Sequence, residues 1–502
     1  MANMPLDFQD SHPKDPSTGL AKIPAQGSDY RTFLEYCQND TYSEQIYKAY
    51  RNRAPDNEED LQRMIELRYQ QAKILGYASF ADYAMEVGML TDPLVARATI
   101  LKTSEMAKAS CDLEMMALSN MLKAHGRELK PWNCLNAEQL YLRDRFRDFN
   151  PLEARKYFPY TKVVASAMTL LGEILSVEFR QVQGLETWHP TVEVYEVFDL
   201  RPGSTVTGEI SFDTDNQTSR GHRTKRQSQE PVRLGRIFLD LISRDNKESH
   251  PCAWGIRIGT FGSVCIPCIN LGGNLASNKE SCLNYEESAT LLHELGHCVH
   301  FLLAQRSEYY RLNAFGVEID FVEVPSQLLE EVLKIAVDVT GKVIPREYLT
   351  ALICEDEVAK AIGSRMQNVM ALCSLDLHSN VDAEGKFIGS TGQVCEAIYR
   401  AHAPFGHTQG TNMQHSFIHL VDYDCRYYTY QHSLAIVKDL ASSKFMRCVP
   451  SDPDDIGYEY RKTILEPGSS MDAKELIKRF LGREYTMEAF YRWLEDRPLD
   501  RV

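Results

Sequence analysis

Apolar positions recur every three or four residues through EEDLQRMIELRYQQAKILG and again through DPLVARATILKTSEMAKASCDLEMMALSNMLKAHG. That spacing lines up apolar side chains along one stripe of a helix, so residues 29 to about 130 read as packed helices. Asp92-Pro93 supplies a start signal: aspartate can accept from a free backbone amide, and proline fits where the first amides lack partners. Helical spacing continues from about 137 to 180. Then the period shortens. TVEVYEVFDL, RLGRIFLDLIS and AWGIRIG alternate or carry β-branched and aromatic residues, which predicts a small sheet within 190–270. Past Glu286 the helical period returns and holds to the end, with GSTGQ and HTQGTN as loops. No stretch repeats another.

These changes of pattern divide the chain. Residues 1–28 are polar and rich in proline and glycine, and are expected to form a flexible arm. A helical region spans 29–185, a small β-sheet region 186–285, and a second helical region, carrying the candidate chemistry, 286–502. Within the sheet region, 203–230 is polar and reads as a mobile loop; its basic cluster from Arg220 to Arg226 is read as solvated rather than as a docking patch.

Composition narrows the classes. With 502 residues, 43% apolar and 25% charged, the chain can form a large core or two to three packed domains. A net charge of -15 argues against nucleic acid or an anionic membrane as the main partner. No run of 18 apolar residues is present, so no transmembrane helix is expected. The 13 cysteines are odd in number and unevenly spaced, and MANMPLDFQDSHPKD shows no secretory h-region, which predicts free thiols in a reducing compartment. Asp7, Asp10 and Asp15, with no arginine-rich amphipathic stretch, favour the cytoplasm over the mitochondrion. The lone CIPC, Cys265 to Cys268, reads as strand, not as a metal or redox motif.

One stretch stands apart: TLLHELGHCVHFL, residues 290–302. His293 and His297 are four apart, so on a helix both imidazoles reach one ion, and Glu294 beside them can hold and deprotonate a water. Glu286 and Glu287 suit the positive end of this helix. Gly296 costs roughly 1 kcal/mol against alanine in a helix, a cost that a close approach on that face would explain. Zinc needs a third protein ligand. VEIDFVEVPSQLLEEVLK offers Glu318, Asp320, Glu323 and Glu330, and spacing alone does not choose among them. His300 is read as packing or as a support behind the metal ligands, and His415 as a loop residue. HLVDYDCRYYTYQHS carries His419, Tyr423, Tyr427, Tyr428 and Tyr430, donors for a developing oxyanion or else core aromatics.

HELGH followed by DFVEVPSQLLE resembles the thimet oligopeptidase and neurolysin family of zinc peptidases. ETWHPTVEVYEV, GTNM with a histidine soon after, and YRKTILEPGSSMDAKELIKRFLGRE are also similar to it, so the resemblance runs from about residue 50 to 493. It implies a mainly α, zincin-like fold with a small β-sheet, two helical lobes flanking a channel, and a shortened N-terminal region. It implies one zinc per chain, held by His293, His297 and Glu323, with Glu330 orienting a ligating imidazole and Glu294 as the base. His419, Tyr427 and Tyr430 fall where the family binds substrate and stabilises the tetrahedral intermediate, and Tyr423 matches an aromatic of a mobile loop. The chain departs from the family after His419: it has LVD, one residue shorter, where adjacent glycines are usual. The expected activity is a zinc-dependent oligopeptidase cleaving internal bonds of short unfolded peptides, as a monomer, although the ligand set also suits manganese or cobalt. Two other readings remain: a specialised non-proteolytic or biosynthetic reaction of a peptide-derived small molecule on the same metal, and an inactive protease-like binding protein.

Overall fold

A computed structural model describes residues 4–147, 149–201, 231–247, 251–259, 268–304, 309–335, 344–445 and 453–496. The segment 203–230, expected as a mobile loop, lies outside them, as does Cys265. The first run of helices comprises α1 (Leu6–Ser11), α2 (Gly27–Tyr36), α3 (Asp40–Arg51), α4 (Glu58–Ile74), α5 (Phe80–Met85), α6 (Pro93–Met106), α7 (Lys108–Ala124), α8 (Cys134–Arg145), α9 (Pro151–Arg155) and α10 (Tyr160–Leu175). Strands β1 (Val177–Val182), β2 (Glu193–Asp199), β3 (Val232–Ile242), β4 (Cys252–Arg257) and β5 (Cys268–Ala276) follow. The second run is α11 (Tyr285–Leu303), α12 (Val324–Ile335), α13 (Arg346–Glu357), α14 (Lys360–Ser379), α15 (Thr391–His402), α16 (His419–Asp422), α17 (Thr429–Ser443), α18 (Pro453–Tyr460), α19 (Ala473–Leu481) and α20 (Glu488–Glu495). The fold is mainly helical with a small mixed β-sheet. No helix among the described residues is long and apolar enough to cross a membrane.

The chain forms two compact units. The first comprises Met1–Leu152, Pro345–His432 and Glu488–Val502. Its helices bury the apolar stripe seen in the sequence: α4 turns Leu61, Ile65 and Ala72 inward, against Ile100 of α6, Leu372 and Leu375 of α14 and Ile398 of α15. The Asp92 side chain accepts from Leu94 N and starts α6 with Pro93 in its first turn. Residues 1–28, expected as a loose arm, hold α1, and Met4 and Phe8 are buried with Phe33, Leu34, Ile46 and Tyr47. The polar composition concealed this, because a few apolar anchors suffice to dock a short segment.

The second unit comprises Glu153–Ile344 and Ser433–Met487. Its sheet has the order β1-β2-β3-β5-β4. β1, β2 and β3 pair antiparallel, β5 joins β3 in parallel, and β4 pairs antiparallel with β5. The expected helix to about 180 stops earlier. α10 ends at Ser176 in the left-handed conformation (φ 53°), and β1 starts at the next residue. A side chain on Gly172 would come within 2.7 Å of Val177 O, so glycine permits this tight return. Arg461 closes the unit from within, at 1% exposure. It donates to Asp199 Oδ2 at 2.6 Å, to Glu466 Oε1 at 2.9 Å and to Leu175 O at 2.8 Å.

Candidate metal centre

The centre is built in the second unit, where α11 crosses α12 and packs on β4 and β5. α11 begins with a capping box: the Asn284 side chain accepts from Glu287 N, and Glu287 Oε2 accepts from Asn284 N at 2.7 Å. Leu291, Leu292, Leu295, Val299 and Leu302 bury the helix. Gly296 is the point of closest approach. A Cβ there would stand 2.7 Å from Ser326 Cα and 3.0 Å from Pro325 O, at the start of α12. The helix-weakening residue therefore lets two backbones meet.

That meeting brings the predicted ligands together. His293 Nε2 and His297 Nε2 each lie 3.2 Å from the same oxygen, Glu323 Oε2. The three donor atoms lie within 4.8 Å of one another. Donors about 2.1 Å from a tetrahedral ion stand about 3.4 Å apart, which the two 3.2 Å separations match, so two imidazole nitrogens and one carboxylate oxygen suit a single zinc. His293 Nδ1 sits 2.5 Å from Glu330 Oε1, which fixes the ring and turns Nε2 toward Glu323. Ser326 Oγ donates to Glu323 O and Oε2 at 2.9 and 3.1 Å and holds the carboxylate in turn. Burial pulls the His293 pKa down, but the carboxylates of Glu323 and Glu330 outweigh it and hold the pKa well above the ordinary histidine value. Burial raises the Glu323 carboxyl, yet His297 and His293 bring it well below its ordinary value. With both rings neutral, the carboxylates of Glu323 and Glu330 leave this point negatively charged, a setting that suits a bound cation. Glu294 follows His293 on α11 and is buried, at 7% exposure.

The four carboxylates left open by the sequence are now sorted. Glu323 faces the histidines and Glu330 takes the far side of one ring. Glu318 Oε1 accepts from Ala473 N at 2.8 Å and so serves the start of α19. Asp320 is fully buried, and its carbonyl accepts from Ser433 Oγ at 3.0 Å. His300 is buried, and burial lowers its pKa to about 3, which keeps it neutral. His415 pairs with Glu58 at 2.7 Å.

The tyrosine segment belongs to the first unit. His419 Nε2 lies 3.2 Å from Tyr430 OH. Tyr423 stacks on Tyr430 with ring centres 5.5 Å apart. Tyr427 meets the His419 ring edge-on at 5.0 Å, but its own ring is buried in the apolar core with Phe417 packed against it, and burial raises its pKa. Tyr423, Tyr430 and His419 are half-buried. The LVD departure produces a turn of helix, α16, whose Val421 and Asp422 are exposed. No positive φ falls there; it falls on Cys425 (φ 60°). Missed in the sequence was Arg68 of α4. It donates from Nη1 to Leu420 O at 2.6 Å and from Nη2 to Val421 O at 3.0 Å, bracing the turn that carries His419. An arginine among the polar residues of α4 gave no signal of this.

The sequence model of peptidase family M3 matches residues 33–224 and 225–496. Oligopeptidase A of Haemophilus influenzae is 26% identical over 495 residues, covering 92% of this chain and 67% of that protein. Saccharolysin of Saccharomyces cerevisiae is 25% identical over 520 residues, covering 96% of this chain and 67% of that protein. The solved structure titled PZ peptidase A with inhibitor 2 shares the fold, with a TM-score of 0.57 at 12% identity over 95% of this chain and 72% of that one.

Proposed function

The chain belongs to peptidase family M3 and is a zinc metallopeptidase acting on peptides, and from that premise we propose that it is an oligopeptidase cleaving internal bonds of short, unfolded substrates. The observation that carries this reading is the single Glu323 oxygen 3.2 Å from both His293 Nε2 and His297 Nε2, with a buried Glu294 next in sequence to the first histidine. The names of the relatives, oligopeptidase A and saccharolysin, support the substrate class. The unevenly spaced cysteines, free in each case among the described residues, support a cytoplasmic setting, and the His293, His297 and Glu323 cluster supports one zinc per chain.

His293, His297 and Glu323 would hold the metal. Bound there, zinc supplies a Lewis acid for the scissile carbonyl and eases ionisation of water. Glu294 takes the proton of the attacking water and returns it to the leaving amine. Glu330 keeps His293 in the tautomer whose Nε2 lone pair faces the donors' meeting point. His419 and Tyr430 are proposed to donate to the oxyanion that develops on the carbonyl, with Tyr423 and Tyr427 holding the substrate or the ring of His419.

Mass-spectrometric profiling of a mixed peptide library, with purified chain, with the chelated chain and with Glu294→Gln, tests the reading. Internal cleavages of short peptides are expected, removed by chelator. Glu294→Gln should retain zinc and lose about a hundredfold or more of the rate. Trimming confined to chain ends would refute the internal-bond assignment, and undiminished turnover by Glu294→Gln would refute the base.

A further inference from the structure

The first unit holds a cavity of about 270 Å³, walled by α2, α3, α8, α14, α15 and the 405–417 segment. Its walls are largely apolar, with Leu34, Leu135, Met366 and Phe417 among them. One charge stands out. The Arg51 guanidinium lies 4.9 Å from the centre of the Tyr47 ring and 5.9 Å from that of Tyr399. Its Nη1 donates to Tyr399 OH at 3.0 Å and to Met413 Sδ at 3.2 Å. Its Nε is shut off from solvent and has no acceptor among the described residues. No carboxylate pairs with it there either, although Arg and carboxylate groups pair widely elsewhere in the chain. Buried cations are ordinarily matched by an anion, because ring faces and a neutral hydroxyl replace only part of the lost hydration.

We propose that this cavity is a binding site for a small carboxylate with an apolar body, the carboxylate taken by Arg51 and the body by the Leu34, Leu135, Met366 and Phe417 walls. The volume exceeds the cavity of about 150 Å³ that accepts benzene and falls at the small end of ligand pockets, so the body is a single ring or a branched alkyl group. Glu138, across the cavity, does not oppose an anion. Burial pushes its carboxyl up to about 7, partly offset by Cys134 Sγ, which donates to Oε1 at 3.3 Å. In protonated form it is a hydrogen-bond donor. A guanidinium binds a carboxylate through two parallel N–H donors, and Nε is one edge of such a fork. Two carriers share this chemistry: a free acid, and the C-terminal residue of a peptide. The proposal is independent of the metal centre, since every group it uses lies in the first unit.

Isothermal titration of the zinc-loaded full chain with N-acetylphenylalanine and with N-acetylphenylalaninamide tests it. The acid should bind and the amide should not. Arg51→Gln should weaken the acid at least about tenfold. Met366→Trp, which fills the cavity while leaving Arg51 in place, should do the same and guards against a fold defect in the first variant; thermal melts of both verify folding. Chelating the zinc should leave the affinity unchanged. Equal binding of acid and amide, wild-type affinity in both variants, loss of binding with the metal, or no heat at millimolar acid would each overturn the assignment. Displacement of the acid by an acetylated tripeptide ending in phenylalanine, measured on Glu294→Gln to prevent turnover, assigns chain ends as carriers; failure to displace assigns free acids.

Discussion

Gly296→Ala sets local helix preference against the crossing that builds the metal centre. By propensity alone the change would stabilise α11 by roughly 1 kcal/mol. The added Cβ, however, would sit 2.7 Å from Ser326 Cα, a backbone atom that no rotamer change can move. Restoring an ordinary contact of 3.4 Å requires the helices to part by about 0.7 Å. Overpacking of this kind costs about 1–3 kcal/mol, so the net effect on stability is a loss of about 0–2 kcal/mol. The larger effect falls on zinc. His293 and His297 ride on α11, and Glu323 stands at the start of α12; metal–ligand distances tolerate about 0.2 Å. A parting several times larger should cost about 10–100-fold in affinity, the range seen when a site's supporting contacts are disturbed. The assay is competition for zinc against a chromophoric chelator, paired with urea melts of the metal-free protein. Gly363→Ala is the control: Gly363 is also helical, in α14, and nothing lies within 4 Å of the position its Cβ would take. It should gain up to about 1 kcal/mol and keep zinc affinity. Wild-type zinc affinity in Gly296→Ala, with a gain in stability like the control's, would show that the close approach does not position the ligands.

Three further outcomes are expected. Glu330→Gln, which leaves an acceptor beside His293 Nδ1 but removes its charge, should weaken zinc binding about tenfold or more, read by the same competition; an unchanged affinity would remove Glu330 from the site. Arg68→Met should leave zinc content intact and lower kcat/KM about tenfold, because the carbonyls of Leu420 and Val421 lose a charged donor worth about 1.5–3 kcal/mol; unchanged kinetics on a standard peptide would sever the His419 turn from catalysis. Glu114 accepts from Ala361 N and Ile362 N at the head of α14, and burial raises its carboxyl to about 7 in spite of those amides. Its folded pKa lies above its unfolded one, so the folded state binds more protons between pH 4.5 and about 7, and stability falls by about 3 kcal/mol as pH rises through that window. Glu114→Gln should flatten the decline in urea melts from pH 4.5 to 8; an identical slope would refute it.

What was legible in the chain follows from how local each signal is. The four-residue spacing of His293 and His297 is a property of one helix, and α11 carries both. The Asp92-Pro93 start of α6 was legible too, because a cap needs only its next few residues. The choice of Glu323 over Glu318 was not local: it required knowing that Glu318 serves Ala473 N, 155 positions away in sequence. β1 was read as helix because VEFRQV continues the apolar spacing of α10, and only the left-handed Ser176 marks the break. Tyr427 and Tyr430, three apart in one segment, looked equivalent; burial separates them, and the core that takes Tyr427 draws on residues as distant in sequence as Val369 and Leu372. Arg68 gave no sign at all, since its role is to hold carbonyls 352 and 353 residues away.

Arg461 adds a constraint on how the second unit comes to exist. An aspartate whose side chain is fully buried needs the Arg461 guanidinium, itself at 1% exposure and also paired with Glu466, and the aspartate and the arginine come from positions 262 residues apart. A nascent or truncated chain that has made β2 but lacks residue 461 would have to seal the Asp199 carboxylate away from water unneutralised, at a penalty of about 3–5 kcal/mol. The sheet and the segment around residue 461 are therefore completed together or not at all, and the closing helices act as a latch on a fold whose metal ligands were synthesised long before.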